Sequence, residues 1–147
     1  MAIWISFILL VLGLAWGVAA QETTLTPEQV ATNAYVQSCG TCHIALPAEV
    51  LPSESWRRLI QDPNHYGQQI ELPPETVVQL MWSYLKDHAR PLLERESIPY
   101  RLADSRYFKA LHPQVSFPQP VRVTSCIDCH AKVELGDFIT LTPEQDQ

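Results

Sequence analysis

Two short runs share one pattern. Cys39-Gly40-Thr41-Cys42-His43 and Cys126-Ile127-Asp128-Cys129-His130 each place a histidine directly after the second cysteine of a Cys-x-x-Cys pair. Together they use all four cysteines of the chain. The spacing suits covalent attachment of haem c. Two thiols reach the vinyl-derived carbons on one porphyrin edge, and the adjacent histidine turns beneath the ring to give a nitrogen to the iron. A short helical turn from the first cysteine achieves both. Other uses of paired cysteines explain less. A disulfide gives His43 and His130 no role. A zinc ribbon sets its knuckles about 15–20 residues apart, and here 84 positions separate Cys42 from Cys126. A thioredoxin-like site needs a single pair in a βαβ setting. The chain is therefore predicted to carry two covalent haem c groups, one on Cys39 and Cys42 and one on Cys126 and Cys129.

Each iron has two axial positions, and His43 and His130 take one apiece. His65, His88 and His112 remain for the far faces, with Met81 as the available thioether. His65 lies in the loop Asn64-His65-Tyr66-Gly67, where it can turn toward a haem; the competing role is a solvated loop residue. His112 follows an aromatic helix and precedes Pro113; the competing role is a helix C-terminal cap. Both are candidate ligands. His88 ends an amphipathic helix among Lys86, Asp87 and Arg90 and reads as an exposed terminus. Met81 lies in an apolar stripe and reads as core. The aromatics Trp56, Trp82, Tyr84, Tyr107 and Phe108 are expected against haem faces or one another. Arg57, Arg58 and Arg122 are candidate propionate contacts that read better as plain surface.

Around these residues the chain is short and acidic. Its 147 residues allow one domain or two small ones. Apolar residues make up 46% and charged residues 18%, a globular balance. The formal charge of −6 argues against nucleic acid and favours docking on a basic protein surface. Residues 1–20 contain no charged side chain and end in Val18-Ala19-Ala20, which reads as a secretory signal cleaved after Ala20. A retained membrane anchor is the competing reading. Either one places the rest of the chain outside the cytoplasm, in the periplasm, where haem c is attached.

Twelve prolines against five glycines predict short helices and long loops. Thr26-Pro27-Glu28-Gln29 starts a helix that runs into Cys39, with Val30, Ala31, Ala34, Tyr35 and Ser38 on one face. Ser53 is expected to cap a short helix through Trp56, Leu59 and Ile60. Residues 62–67, DPNHYG, form a turn. A helix from Pro74 carries the stripe Val77, Val78, Met81, Leu85 and His88, and Pro91 ends it. Residues 89–103 read as a crossover. Asp104 or Ser105 caps a helix through Tyr107, Phe108 and Leu111. Proline-rich extended chain then leads to Cys126, and the tail returns in strand-like form. No strand pair stands out. Two lobes are expected after the leader, 21–90 and 91–147, each around one haem. Lobes this small bury little apolar surface alone, so the porphyrins supply much of the core.

Several stretches resemble the dihaem cytochrome c family of exported bacterial proteins: AYVQSCGTCHIALPAEVLPSESWRRLI, then HYG and SYLKDHA, then SRYFKALHPQV and SCIDCHAKVELGDF. The likeness extends over most of residues 34–138. It implies a mainly α, small two-lobed c-type cytochrome, with short helices and long loops wrapped around two covalent haems and a first lobe like cytochrome c. It implies His43 proximal and His65 distal on the first haem, and His130 proximal and His112 distal on the second. It implies an electron carrier whose partners are redox proteins, such as a small high-spin cytochrome c or a membrane cytochrome b. His88 departs from the family, which tends to have asparagine there. Imidazole on both faces leaves no open coordination site. The contrasting expectation is a dihaem enzyme, peroxidase-like or reducing oxygen or nitrogen oxides, with one open iron.

Overall fold

The computed structural model describes residues 24–117 and 120–143. The leader or anchor expected over residues 1–20 lies outside them. Among the described residues, no helix is long and apolar enough to cross a membrane.

Helix α1 spans Pro27–Cys39 and begins as its sequence suggests. The Gln29 amide donates to the Thr26 hydroxyl at 3.2 Å, and the Gln29 side chain accepts from the Thr26 amide at 2.8 Å. This reciprocal pair satisfies two of the donors that open a helix. The buried face is Ala31 and Tyr35, while Val30 stays exposed. At the far end Gly40 donates its N–H to Val36 O at 2.8 Å. A β-carbon there would lie 2.6 Å from the same oxygen, so a glycine is needed where the chain leaves the helix between Cys39 and Thr41.

Helix α2 spans Ser53–Leu59. Ser53 is its first residue rather than its cap. Pro52 holds the cap position with no side-chain bond, and the Ser53 hydroxyl donates to Glu54 instead. Proline in that place makes the turn by its fixed φ. Helix α3 spans Glu75–His88 and buries Met81 and Leu85 against α1. Tyr35 of α1 stacks on Tyr84 of α3, with ring centres 5.2 Å apart. The loop between α1 and α2 is tied down by two aromatic donors. Tyr35 donates its hydroxyl to Leu46 O at 2.6 Å, and Trp56 its indole N–H to Ala48 O at 2.7 Å.

Two short antiparallel pairs form where none was expected. Strand β1 (Asn64–His65) pairs with β2 (Gln68–Gln69), His65 opposite Gln68. Tyr66 and Gly67 between them both have positive φ, at 54° and 91°. That is the requirement of a type I′ hairpin turn, and its two-residue strands are too short to show alternation. Strand β3 (His130–Lys132) pairs with β4 (Asp137–Leu141), so the tail does return on itself. Gly136 turns the chain with φ 79°.

Between these pairs lies helix α4, Arg106–Leu111, capped by Ser105, and a 3-10 segment, Val123–Asp128. The second half is stitched to the first through backbone carbonyls. Ser55 donates to Pro99 O and Ser105 to Val50 O, both at 2.5 Å. One buried apolar cluster runs from Tyr35 through Trp56 and Leu85 to Phe108.

The crossover after α3 is closed by a shielded ion pair. Both amino groups of the Arg90 guanidinium donate to the Glu96 carboxylate, at 2.8 and 2.6 Å. The side chains are 9% and 3% exposed. These bonds hold the Glu96 carboxyl down to about 2 against the cost of its burial. A depressed carboxyl adds stability above its unfolded value of about 4.3 and loses it as pH falls toward 2. Glu96→Gln is expected to lower the unfolding free energy of the holoprotein by about 3 kcal/mol at pH 7, since it strands a covered guanidinium. Urea unfolding should also show the variant losing less stability than the parent between pH 5 and pH 2 (roughly the span set by those two values).

Candidate functional site

Each Cys-x-x-Cys-His run ends beside a histidine from elsewhere in the chain. Cys39 closes α1, Cys42 follows on an exposed turn, and His43 points inward from the next position. His65 arrives on β1. The rings of His43 and His65 have centres 6.2 Å apart and planes 11° apart. In the second half the corresponding pair is His112, just after α4, and His130, on β3. Their centres are 6.1 Å apart and their planes 85° apart. Two imidazoles that share one first-row metal through bonds of about 2 Å have ring centres about 6 Å apart.

A cavity of about 370 Å³ opens at the first pair, walled by Cys39, Cys42, His43 and His65 and by apolar residues such as Leu59 and Met81. Met81 is therefore both core and cavity wall. Among the described residues, no group of three or more His, Cys, Asp or Glu is placed to hold a metal ion. Two imidazoles leave four positions of a six-coordinate iron to be filled. A porphyrin would fill them and cover the apolar walls, so the residues at the first pair fit haem c. No two of the four cysteines are joined in a disulfide, so all four sulfurs are left for attachment. Burial pushes the Cys39 thiol up to about 11 and raises that of Cys126.

Hydrogen bonding fixes which ring nitrogen is free. Nδ1 of His43 lies 2.8 Å from Ile44 O, and Nδ1 of His112 lies 2.9 Å from Phe108 O. Each is a donor there, which leaves Nε2 as the metal-binding atom. Nδ1 of His130 is buried without a hydrogen-bond partner, whereas the Leu59 backbone interacts with the His65 ring. Burial lowers the His65 imidazole first, and His43 adds to it, while Asp62 pulls the other way. Burial likewise lowers His130, with His112 adding and Asp137 opposing. Both are thereby biased toward the neutral imidazole, the form that binds metal.

The support for His65 rests on residues that the sequence reading passed over. Asp62 accepts from the Asn64 amide at 2.8 Å, an Asx turn at the start of the hairpin. Its other oxygen accepts from the Tyr100 hydroxyl at 2.6 Å, the main cause of its lowered carboxyl. Tyr66 donates to Tyr100 O at 2.7 Å, and its ring lies 5.0 Å from His65. The Asp-Pro-Asn run carried the Asx signal; nothing marked Tyr100, which comes from 34 residues beyond Tyr66. The Arg58 guanidinium sits over the Tyr100 ring at 4.6 Å.

His88 stands apart from both pairs. Its Nδ1 bonds Tyr84 O at 2.9 Å, its ring stacks on Tyr84, and its Nε2 faces Glu28 at 3.7 Å. The second pair lies among aromatics: Phe108 and Phe117 against His112 at 4.6 and 5.3 Å, and Phe138 at 6.0 Å from His130. Val123, which opens the 3-10 segment holding Cys126, also lines the first cavity.

The sequence profile of a family described as dihaem cytochrome c matches residues 35–138. Three solved chains are similar. A dihaem cytochrome c from Rhodobacter sphaeroides is 30% identical, with a TM-score of 0.57 over 70% of this chain and 93% of that one. One from Shewanella baltica is 27% identical, with a TM-score of 0.54 over 73% of this chain and 86% of that one. Among curated proteins there is no match.

The hairpin that carries His65 has a direct test. A β-carbon at Gly67 meets nothing within 4 Å, so its φ of 91° is the main constraint. Gly67→Ala is expected to cost about 1–2 kcal/mol, and Gly67→Asn distinctly less, because asparagine tolerates positive φ. Thermal unfolding of the two variants beside the parent checks the order.

Proposed function

The chain belongs to the dihaem cytochrome c family, and from that premise we propose that it is an exported electron carrier with histidine on both faces of each iron. It is a dihaem c-type cytochrome with two covalently bound haem c groups. The bis-histidine reading is carried by one observation: each motif histidine meets a second imidazole at 6.1–6.2 Å. Export rests on the apolar start and on haem c attachment outside the cytoplasm.

The haem irons supply one-electron chemistry when bound. The chain's residues confine them to it. Cys39 and Cys42 would hold one porphyrin edge in the first site, and Cys126 and Cys129 would do so in the second. His43 with His65, and His130 with His112, would hold the two irons and would leave no position for oxygen or peroxide. Ile44 O and Phe108 O hold the proximal or distal Nδ1–H, so the ligating nitrogen keeps its lone pair. Apolar walls around the first pair exclude water. Imidazole without thioether favours lower potentials than histidine–methionine ligation gives.

The partner is a redox protein with a basic docking face, since the chain carries −6. A small high-spin cytochrome c or a membrane cytochrome b fits that role. Electron transfer to such a partner should slow by about tenfold from low to physiological ionic strength, measured by stopped flow.

Low-temperature electron paramagnetic resonance (EPR) of the oxidised holoprotein tests the ligation. Two low-spin signals and no high-spin iron are expected. His65→Ala or His112→Ala should each turn about half of the iron high-spin, and His88→Ala should turn none. A high-spin signal from half of the iron in the parent would instead indicate an open site and an enzyme.

A further inference from the structure

The two histidine pairs agree in spacing and differ in orientation. The planes of His43 and His65 are 11° apart, and those of His112 and His130 are 85° apart. We propose that this difference gives the two irons different electronic ground states, and that Phe117 is the positioning residue that keeps the second pair crossed. The inference rests on the bis-histidine reading above.

An axial imidazole donates through the π orbital perpendicular to its ring. That orbital overlaps one of the two iron d orbitals that point out of the porphyrin plane. Parallel rings act on the same d orbital and raise it above its partner. Crossed rings act on one orbital each and leave the two nearly equal. Low-spin ferric iron has five d electrons and hence one hole among these orbitals. Where they are split, the hole is confined to one and the EPR signal is an ordinary rhombic one with three resolved lines. Where they are nearly equal, orbital angular momentum survives, and the signal is a single feature at very large g. Electron counting also gives the redox sign. Splitting stabilises the ferric state, and ferrous iron, with the hole filled by the added electron, gains nothing from it. This effect favours placing the electron at the crossed pair.

Different contacts hold the rings. At the first site His43 is tied to Ile44 O, and His65 is set by its hairpin and the Tyr66 ring. At the second, the bond from His112 to Phe108 O selects the nitrogen but leaves rotation about that bond open. Phe117 closes it. Its ring meets His112 at 73° and 5.3 Å, and packs on Phe108 at 5.1 Å. His130 has no hydrogen bond at Nδ1 to resist a partner that turns. Phe117 is half-buried at the edge of the cluster, so its truncation leaves the core intact.

The experiment is EPR at liquid-helium temperature on the oxidised holoprotein, on Phe117→Ala and on Phe117→Tyr. In the parent, one rhombic and one large-g signal are expected, each from half of the iron. Phe117→Ala should move the large-g signal toward the rhombic form and leave the other unchanged. Phe117→Tyr, which keeps the ring, should restore the parent spectrum. Two signals of the same kind in the parent would overturn the proposal, and this outcome does not depend on any variant folding. An unchanged spectrum in Phe117→Ala would overturn the role of Phe117. High-spin iron in the parent would overturn the ligation reading itself and remove the basis of the inference.

Discussion

Two imidazoles face each other across about 6 Å, twice, in a chain of short helices and long loops. At each site one imidazole is delivered by the attachment motif itself, and only the second needs a separate support. The architecture can be read as the means of supplying those two supports. His65 comes on a two-residue hairpin, the smallest element that can hold a side chain at a set angle. His112 comes on the residue after a six-residue helix, where the chain breaks toward Pro113. Neither element is stable alone. Each is stabilised by what it touches, and a bound porphyrin would be part of that contact.

The protein part of the support is made mostly by side-chain donors reaching backbone carbonyls. Tyr35, Ser55, Trp56, Tyr66 and Ser105 all donate to carbonyls distant in sequence. Loops rich in proline leave many carbonyls without a helix or sheet partner, and a buried carbonyl without a partner is costly. Such bonds let short helices and long loops pack tightly without a large sheet or bundle. The Arg90–Glu96 pair serves the same end in the crossover, where it also accepts the Leu93 amide at 3.0 Å.

What the residues revealed in advance was what depends on local chemistry. The two attachment motifs, the capping box at Thr26 and the Ser105 cap follow from spacings of a few residues. His65 and His112 stand out as candidates because histidine is scarce and each sits near a break in the chain. His88 was set aside because of its charged neighbours, and it faces one of another helix, Glu28. What stayed hidden depends on partners far along the chain or on backbone angles. Tyr66 adopts positive φ, which its side chain does not advertise, so the turn was legible and the strand pair was not. Pro52 displaced Ser53 from the cap because a fixed φ does the same work as a side-chain bond. Tyr100 reaches Asp62 across 38 positions, a distance over which one sequence carries no pattern. Ring orientation is hidden for the same reason, since Phe117 acts on His112 through packing alone.

The two sites are built differently and lie close in space. The first is a hydrogen-bonded hairpin over an apolar cavity. The second is a set of aromatic rings around a histidine pair. Val123 belongs to both: it lines the first cavity and stands one 3-10 turn before Cys126. Such a turn advances about 6 Å, so the second attachment site begins within a few ångströms of the wall of the first. The proposed carrier, with both irons closed, would need this closeness, because its internal transfer would depend on distance and on nothing that binds or leaves. The segments around the two motifs do not match in sequence, and this difference then has a physical reading. Two copies of one site would present the same ligand field to the electron, whereas two different supports around the same pair of imidazoles allow one fold to hold the electron preferentially at one end.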